Sequence, residues 1–400
     1  MSLLFSPIEL RSIRLANRAV ISPMCQYSAI DGIGNDWHFA HLSRFAIGGA
    51  GLVFTEATAV EANGRITHGD LGLWSDAHVA PLERIAAFVK SQGSVPGIQL
   101  AHAGRKASMQ RPWHGNGPLD ASDAERGELP WPTVAAGDNP IAPGWLEPHA
   151  LTRPEMDRIV QSFVAAARRA DRAGFDVAEI HSAHGYLLHS FLSPLANPRT
   201  DEYGGSRDNR LRFPLEAISA VRDTWPSEKP LFVRISAIDD VEGGWSIDDS
   251  VAFAGELKRI GIDVIDCSSG GALGSATAAA KPLTPRVPGF QLPFAAAIRR
   301  RAGIPTMAVG LILDGPQAEA ALQAGDADLI AIGREALYDP NWALHAARAL
   351  GEDPRFDFWP KQAGWWLTRR QPLLDRVETA AATNDPVSPP FARRTSGGVT

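Results

Sequence analysis

Between about residue 19 and residue 349, short apolar runs rich in β-branched residues alternate with longer segments of helical periodicity. No other feature constrains the fold as much. The runs fall at 19–22, 52–55, 97–100, 177–181, 231–235, 264–267, 306–309 and 329–332. Each is brief and apolar, as a strand covered on both faces must be. The segments between them carry stripes of helical spacing. Ile159, Phe163, Ala166, Ala167 and Ala170 form one, closed by Gly174. Leu215, Ile218 and Val221 begin another, and Phe253, Leu257 and Ile260 form a third before Gly261. Eight strands with crossover helices predict an α/β fold, a single (β/α)8 barrel. A doubly wound sheet shares the alternation but calls for a G-x-G-x-x-G turn after its first strand, and none stands there.

Composition narrows the function classes. The chain has 400 residues, 44% hydrophobic and 21% charged, which excludes a wholly disordered chain. Its net charge of -6 argues against a nucleic-acid partner. No apolar run reaches the roughly 18 residues that span a bilayer, so no membrane partner is expected. The first 18 residues lack the apolar core of a signal peptide. The two cysteines, Cys25 and Cys267, are too few for an iron–sulfur cluster or a disulfide framework. That usage fits reduced thiols and a cytoplasmic location.

The barrel is expected to occupy residues 1–350, with a short β-hairpin around Leu10 and Ile13 ahead of it. Two stretches fall outside the eight-fold pattern. Residues 102–150 follow the third strand and hold seven prolines with Trp113, Trp131 and Trp145. A loop this long is usually functional, and after a barrel strand it would be a lid over the catalytic face. The plain alternative is a surface insertion. Residues 351–375 read as a C-terminal segment at a subunit interface, and 376–400 as a disordered tail.

In a barrel, chemistry collects at the C-terminal ends of the strands. Those ends carry Ser22-Pro23-Met24-Cys25, Glu56-Ala57-Thr58, Gln99 with His102, His181 with His184 and Tyr186, Arg234, Ser268-Ser269-Gly270-Gly271, Gly310, and Gly333-Arg334. Gly310, Gly333 and Arg334 follow the last two strands, where barrels often bind phosphate. An ordinary turn with a surface arginine is the alternative. His181 and His184 could hold a metal, but a catalytic zinc needs a third protein ligand and none is evident nearby. As neutral imidazoles they could donate to a carbonyl or a developing oxyanion; they could also be loop residues with local partners. Arg234 sits between apolar neighbours and must meet an anion, a cofactor edge or a structural carboxylate. Gln99 offers both donor and acceptor to a heterocycle, or a hydrogen bond within the barrel. No dyad partner stands near Cys25, and Cys267 reads as structural.

Together the motifs resemble the Old Yellow Enzyme family of FMN-dependent reductases. The residues carrying the resemblance are Ser22-Pro23-Met24-Cys25-Gln26-Tyr27, Gln99 to Lys106, His181-Ser182-Ala183-His184-Gly185-Tyr186, the run from Asn197 to Ser206 with Asn209 and Arg210, and Gly333-Arg334. They occur in family order over about residues 3 to 350. Cys25 resembles the bacterial, thermophilic-like subgroup, where other members carry Thr.

The resemblance implies an NAD(P)H-dependent ene-reductase. Ser22, Pro23, Met24 and Cys25 would line the FMN, with Cys25 tuning its potential. Ala57, Gln99 and Arg234 would also contact the flavin, and Gly310, Gly333 and Arg334 its phosphate. His181 and His184 would grip the substrate oxygen, Tyr27 would touch the substrate, and Tyr186 would donate the proton. The substrates would be electron-poor alkenes, the hydride donor NADPH or NADH, and the assembly a homodimer or homotetramer. No metal is expected. One departure stands near the C-terminus. Subgroup members often place Tyr and Arg after Pro-x-Gln, the Arg entering the neighbouring subunit's site. Here Ala363 and Trp365 occupy those positions, so Trp365 or Trp366 could replace that finger or pack at an interface. The rival readings are a metal-dependent barrel hydrolase using His181 and His184, and a flavin-binding barrel without turnover.

Overall fold

A strand buried on both faces needs apolar side chains throughout and a hydrogen-bonded neighbour on each edge. In the computed structural model, which describes residues 2–273 and 283–382, eight strands satisfy this by closing on themselves. The chain opens with the antiparallel hairpin β1 (Ile8–Leu10) and β2 (Ile13–Leu15). The first barrel strands are β3 (Ala19–Ile21), β4 (Leu52–Ala59) and β5 (Val95–Ala101). A two-residue parallel pair, β6 (Val134–Ala135) and β7 (His149–Ala150), lies in the long insertion. The barrel resumes with β8 (Val177–Ser182), β9 (Leu231–Ser236), β10 (Val264–Ser268), β11 (Thr306–Ala308) and β12 (Leu329–Ile332). Every barrel pairing is parallel, and β12 closes onto β3.

The crossovers are helical. They are α1 (Asp36–Ile47), α2 (Val79–Ser91), α3 (Ala121–Glu125) within the insertion, α4 (Arg153–Arg172), α5 (Leu187–Leu192), α6 (Arg207–Thr224), α7 (Ile247–Arg259), α8 (Leu292–Ala302) and α9 (Gly315–Gln323). After β12 come α10 (Arg334–Tyr338), α11 (Trp342–Ala349) and α12 (Lys361–Ala382). Helix α4 shows the local logic. Thr152 and Glu155 cap its first turn reciprocally, the Thr152 N–H donating to Glu155 at 2.8 Å. Its stripe Ile159, Phe163, Ala166, Ala167 and Ala170 is buried against the barrel, and Gly174 at φ +82° turns the chain into β8.

Two apolar clusters stack along the barrel. The larger lies between strands and helices. The smaller fills the N-terminal end of the barrel, where Leu10 and Leu15 of the hairpin pack on Val20, Leu52, Phe54, Val177, Phe232 and Leu329. The bottom is thereby plugged, and the opening lies at the C-terminal ends of the strands.

The strand positions match the sequence pattern to within a residue or two, except in β4. That strand runs on to Ala59 through a register shift between Phe54 and Ala57, which carries Glu56 and Ala57 to the rim. Stretch 102–150 is less irregular than its prolines suggest: it holds 3-10 turns, α3 and the β6–β7 pair. The C-terminal segment differs more. Helix α12 runs past the expected boundary at 375 to Ala382, over residues that are mostly good helix formers. The rest of the expected tail, 383–400, lies outside the described residues. No helix among the described residues is long and apolar enough to cross a membrane.

Candidate active site at the mouth of the barrel

Strand register builds the floor. Gln99 on β5 lies opposite Glu179 on β8, while Arg234 on β9 lies opposite His181 on one side and Asp266 of β10 on the other. Adjacent positions put side chains of one face within reach. Gln99 Nε2 donates to Glu179 Oε1 at 2.7 Å, and Arg234 Nε sits 3.1 Å from Asp266 Oδ2. Arg234 Nη1 donates to Ser22 Oγ at 3.2 Å, joining β3 to the same network. All five side chains are buried.

The segment after β3 forms one wall. Glu56 accepts from the Gln26 N–H at 3.1 Å, which fixes the path of Cys25, Gln26 and Tyr27. Burial and the charge of Asp70 push the Glu56 carboxyl well above the carboxylate range. Tyr27 holds φ at +50°, and Gly69 lies so near that a Cβ there would stand 2.2 Å from the Tyr27 carbonyl oxygen. Cys25, Tyr27, Trp131, Trp145 and Tyr186 pack around Ile66, Ala103, Ala107 and Met109. The insertion therefore covers this wall. Burial raises the Cys25 thiol well above its usual value, with Asp70 and Glu56 adding to it, so the sulfur stays a neutral thiol. Met24 packs on the main core, and Pro23 is half-buried beside it. Ala57 is buried opposite Gln99.

The turn after β8 forms the facing wall. His181 Nδ1 accepts from the Ala183 N–H at 3.2 Å, which leaves its proton on Nε2. That atom faces His184 Nδ1 at 3.3 Å, and His184 Nε2 in turn faces Ser268 Oγ at 2.7 Å. Burial, then the Arg234 charge, lowers both imidazoles well below 6.5, so both are neutral. The Tyr186 ring stands edge-on to His181 at 4.9 Å. Burial and the neighbouring Cys25 raise its hydroxyl well above 10, which keeps it protonated.

Two buried groups hold this turn. His184 and Gly185 adopt φ of +60° and +76°. The Gly185 N–H donates to His189 Nδ1 at 2.7 Å, and His189 Nε2 meets Asp239 at 2.9 Å. Lys106 Nζ donates to the carbonyls of His184 at 2.6 Å and Gly271 at 2.7 Å. Burial, then Arg105, lowers its ammonium to about 7.

Gly310, Gly333 and Arg334 line a cavity of about 240 Å³ that reaches down to Arg234 and Ser268. Nothing lies within 4 Å of a Cβ built at Gly333, so space is open above that backbone. Phosphate and a planar heterocycle both find donors along this cavity: backbone and the Arg334 guanidinium at one end, the Arg234 guanidinium at the other. The residues fit FMN.

Trp365 and Trp366 are not brought to this mouth. They lie on α12 with 51% and 67% of their surface exposed. Sequence reasoning passed over Glu179, Asp266, Lys106, His189 and Asp239. The signal for Glu179 and Asp266 was the one that exposed Arg234, a charge inside an apolar strand. Among the described residues no group of three or more His, Cys, Asp and Glu could hold a metal.

A closed parallel barrel with this donor groove and a mouth of neutral histidines and a protonated tyrosine has the layout of a flavin-dependent oxidoreductase. Residues 3–353 match the NADH:flavin oxidoreductase / NADH oxidase family, and the chain belongs to it. It is 46% identical over 353 residues to an NADPH dehydrogenase of Geobacillus sp. (strain WCH70), covering 88% of this chain and 95% of that protein. An NADPH dehydrogenase of Bacillus subtilis (strain 168) is 46% identical over 352 residues, covering 88% and 96%. Among solved structures, morphinone reductase superposes with a TM-score of 0.71 at 26% identity, covering 88% of this chain and 90% of that one. The protein is an NAD(P)H-dependent flavin oxidoreductase with FMN as its cofactor.

Proposed function

We propose that the mouth carries out ene reduction, the saturation of electron-poor C=C bonds conjugated to a carbonyl or nitro group. Bound FMN would supply the hydride chemistry that links NADPH or NADH to the β-carbon of the alkene. Ser22, Pro23, Met24, Cys25, Ala57, Gln99 and Arg234 would hold the ring system, and Gly310, Gly333 and Arg334 the phosphate. His181 and His184 grip the substrate oxygen. Their mutual contact at 3.3 Å is long, so the His181 Nε2 proton is available to a stronger acceptor. Negative charge grows on that oxygen as the bond is reduced, and neutral N–H donors are worth most there. Tyr186 gives its hydroxyl proton to the α-carbon, and Tyr27 lines the substrate's other side. The enzyme would act in the cytoplasm on small alkenes, as a homodimer or homotetramer. Cys25 supports placing it in the cysteine-bearing bacterial subgroup.

One observation carries this reading: His181, His184 and Tyr186 meet within one turn, neutral and protonated, above Arg234 and Gln99. Rapid mixing tests it in two half-reactions. Tyr186→Phe slows reoxidation by a cyclic enone by about 10²–10⁴-fold, the usual size of a general-acid contribution, and leaves flavin reduction by NADPH unchanged. Equal loss in both half-reactions removes Tyr186 from the proton-transfer role.

A further inference from the structure

We propose that Glu179 and Asp266 hold a single proton between them, Glu179 neutral against Gln99 and Asp266 ionised against Arg234, and that this pair sets how much of the Arg234 charge reaches the flavin. The proposal rests on the flavin-binding reading above.

The geometry is unusual for a barrel interior. Both carboxyls have no exposed surface. The structure brings them within hydrogen-bond reach of each other. Arg234 is the guanidinium beside them, through the 3.1 Å contact to Asp266. Two ionised carboxylates with one guanidinium would leave a net negative charge in the middle of an apolar barrel. Such a charge is costly enough that the group binds a proton instead.

The remaining atoms say which carboxyl is protonated. Asp266 faces a cation, while Glu179 Oε1 accepts only from the neutral Gln99 amide at 2.7 Å. Glu179 Oε2 and both oxygens of Asp266 lack any hydrogen-bond donor. A proton on Glu179 Oε2 supplies one, donated to Asp266. Burial pushes both carboxyls up, but Arg234 and Glu179 pull Asp266 back down while the Asp266 charge pushes Glu179 further up, which agrees with this assignment.

Two consequences follow for the floor. The Gln99 amide is fixed with Nε2 toward Glu179, so its oxygen is free to accept from the flavin. The sum over Arg234, Asp266 and Glu179 is zero, so Arg234 meets the flavin as half of an ion pair rather than as a bare cation. Glu179 and Asp266 are thus positioning residues that act through Gln99 and Arg234.

The test separates charge from proton. Glu179→Gln keeps a neutral group that accepts from Gln99 and donates to Asp266, so the midpoint potential of bound FMN stays at the wild-type value. The double variant Glu179→Gln with Asp266→Asn removes the negative charge and leaves Arg234 uncompensated. Its reduced-to-oxidised ratio at a fixed poise rises about tenfold, a positive shift of about 30 mV for a two-electron couple. Infrared difference spectra, with or without FMN, show a deuterium-sensitive band of a buried carboxylic acid that Glu179→Gln abolishes. The proposal is overturned if Glu179→Gln alone shifts the potential as far as the double variant, if the double variant binds FMN without a shift, or if wild type lacks the band. Should the double variant not fold, the band and the potential of Glu179→Gln decide the matter. A wild-type protein without flavin absorbance would defeat the flavin reading, and the band would still report on the shared proton.

Discussion

Lys106 Nζ donates to two backbone carbonyls and lies 5.7 Å over the Tyr186 ring, in a site that costs its charge most of its hydration. Its folded value of about 7 lies below the ordinary lysine value, so the unfolded chain binds this proton more tightly. Stability contributed through this group rises with pH from about 7 to about 10.4, where the unfolded lysine also loses its proton. Lys106→Met removes that dependence. The difference in unfolding free energy between wild type and Lys106→Met, measured by denaturant at several pH values, should therefore change across this window and be flat above it; a constant difference would mean that the ammonium is not strained. Cys25 acts by contact rather than charge, because its thiol stays protonated. Cys25→Ala should keep FMN and shift the flavin potential, read by dye-coupled reduction; loss of FMN would make its role structural. At this scale the sequence was only partly legible. Gln99, Arg234, His181, His184 and Tyr186 stand out as polar groups at strand ends. Glu179 and Asp266 carry only the mark that Arg234 carries, a charge inside an apolar strand, and nothing in their order marks them as neighbours of each other. Only the register of β5, β8, β9 and β10 brings them together.

The turn after β8 is the element on which the chemistry depends, and its shape is imposed from outside. Gly185 at φ +76° faces the Gly271 carbonyl so closely that a Cβ would stand 2.1 Å from that oxygen. Gly174 has a similar φ of +82° and nothing within 4 Å. Gly174→Ala then reports the left-handed penalty alone, about 1–2 kcal/mol. Gly185→Ala costs more, since backbone must move, and it displaces His184 and Tyr186 as well. Paired urea melts and turnover assays check this: equal destabilisation with turnover intact would show that the turn is soft. The elements themselves were the most legible level. Continuous apolar runs located all eight strands, and a stripe closed by glycine located α4. The bulge in β4 and the pair β6–β7 left no periodicity to read. Prolines in stretch 102–150 mask the fact that its first nine residues are buried against the mouth.

Closure of the barrel gives the whole molecule one plugged end and one reactive end, and α12 belongs to neither. Its 22 residues carry Trp365 and Trp366 edge to face at 4.5 Å, with Leu373 also exposed. The Arg369 guanidinium lies 3.4 Å over the Trp365 ring. A helix that displays large apolar groups gains little by standing in water, and clustered exposure of this kind marks contact surfaces on folded proteins. The two tryptophans do not touch the mouth of their own chain, so any part they take in catalysis must be played in a neighbour's. Sedimentation and kinetics on one variant separate the two roles. Trp365→Ala with Trp366→Ala should keep FMN and the barrel's circular dichroism while sedimenting as a smaller species than wild type. If either ring also walls a neighbouring site, the KM for a bulky enone rises in the same variant, whereas flavin reduction by NADPH is unchanged. An assembly of wild-type size with wild-type KM would remove α12 from both the interface and the site.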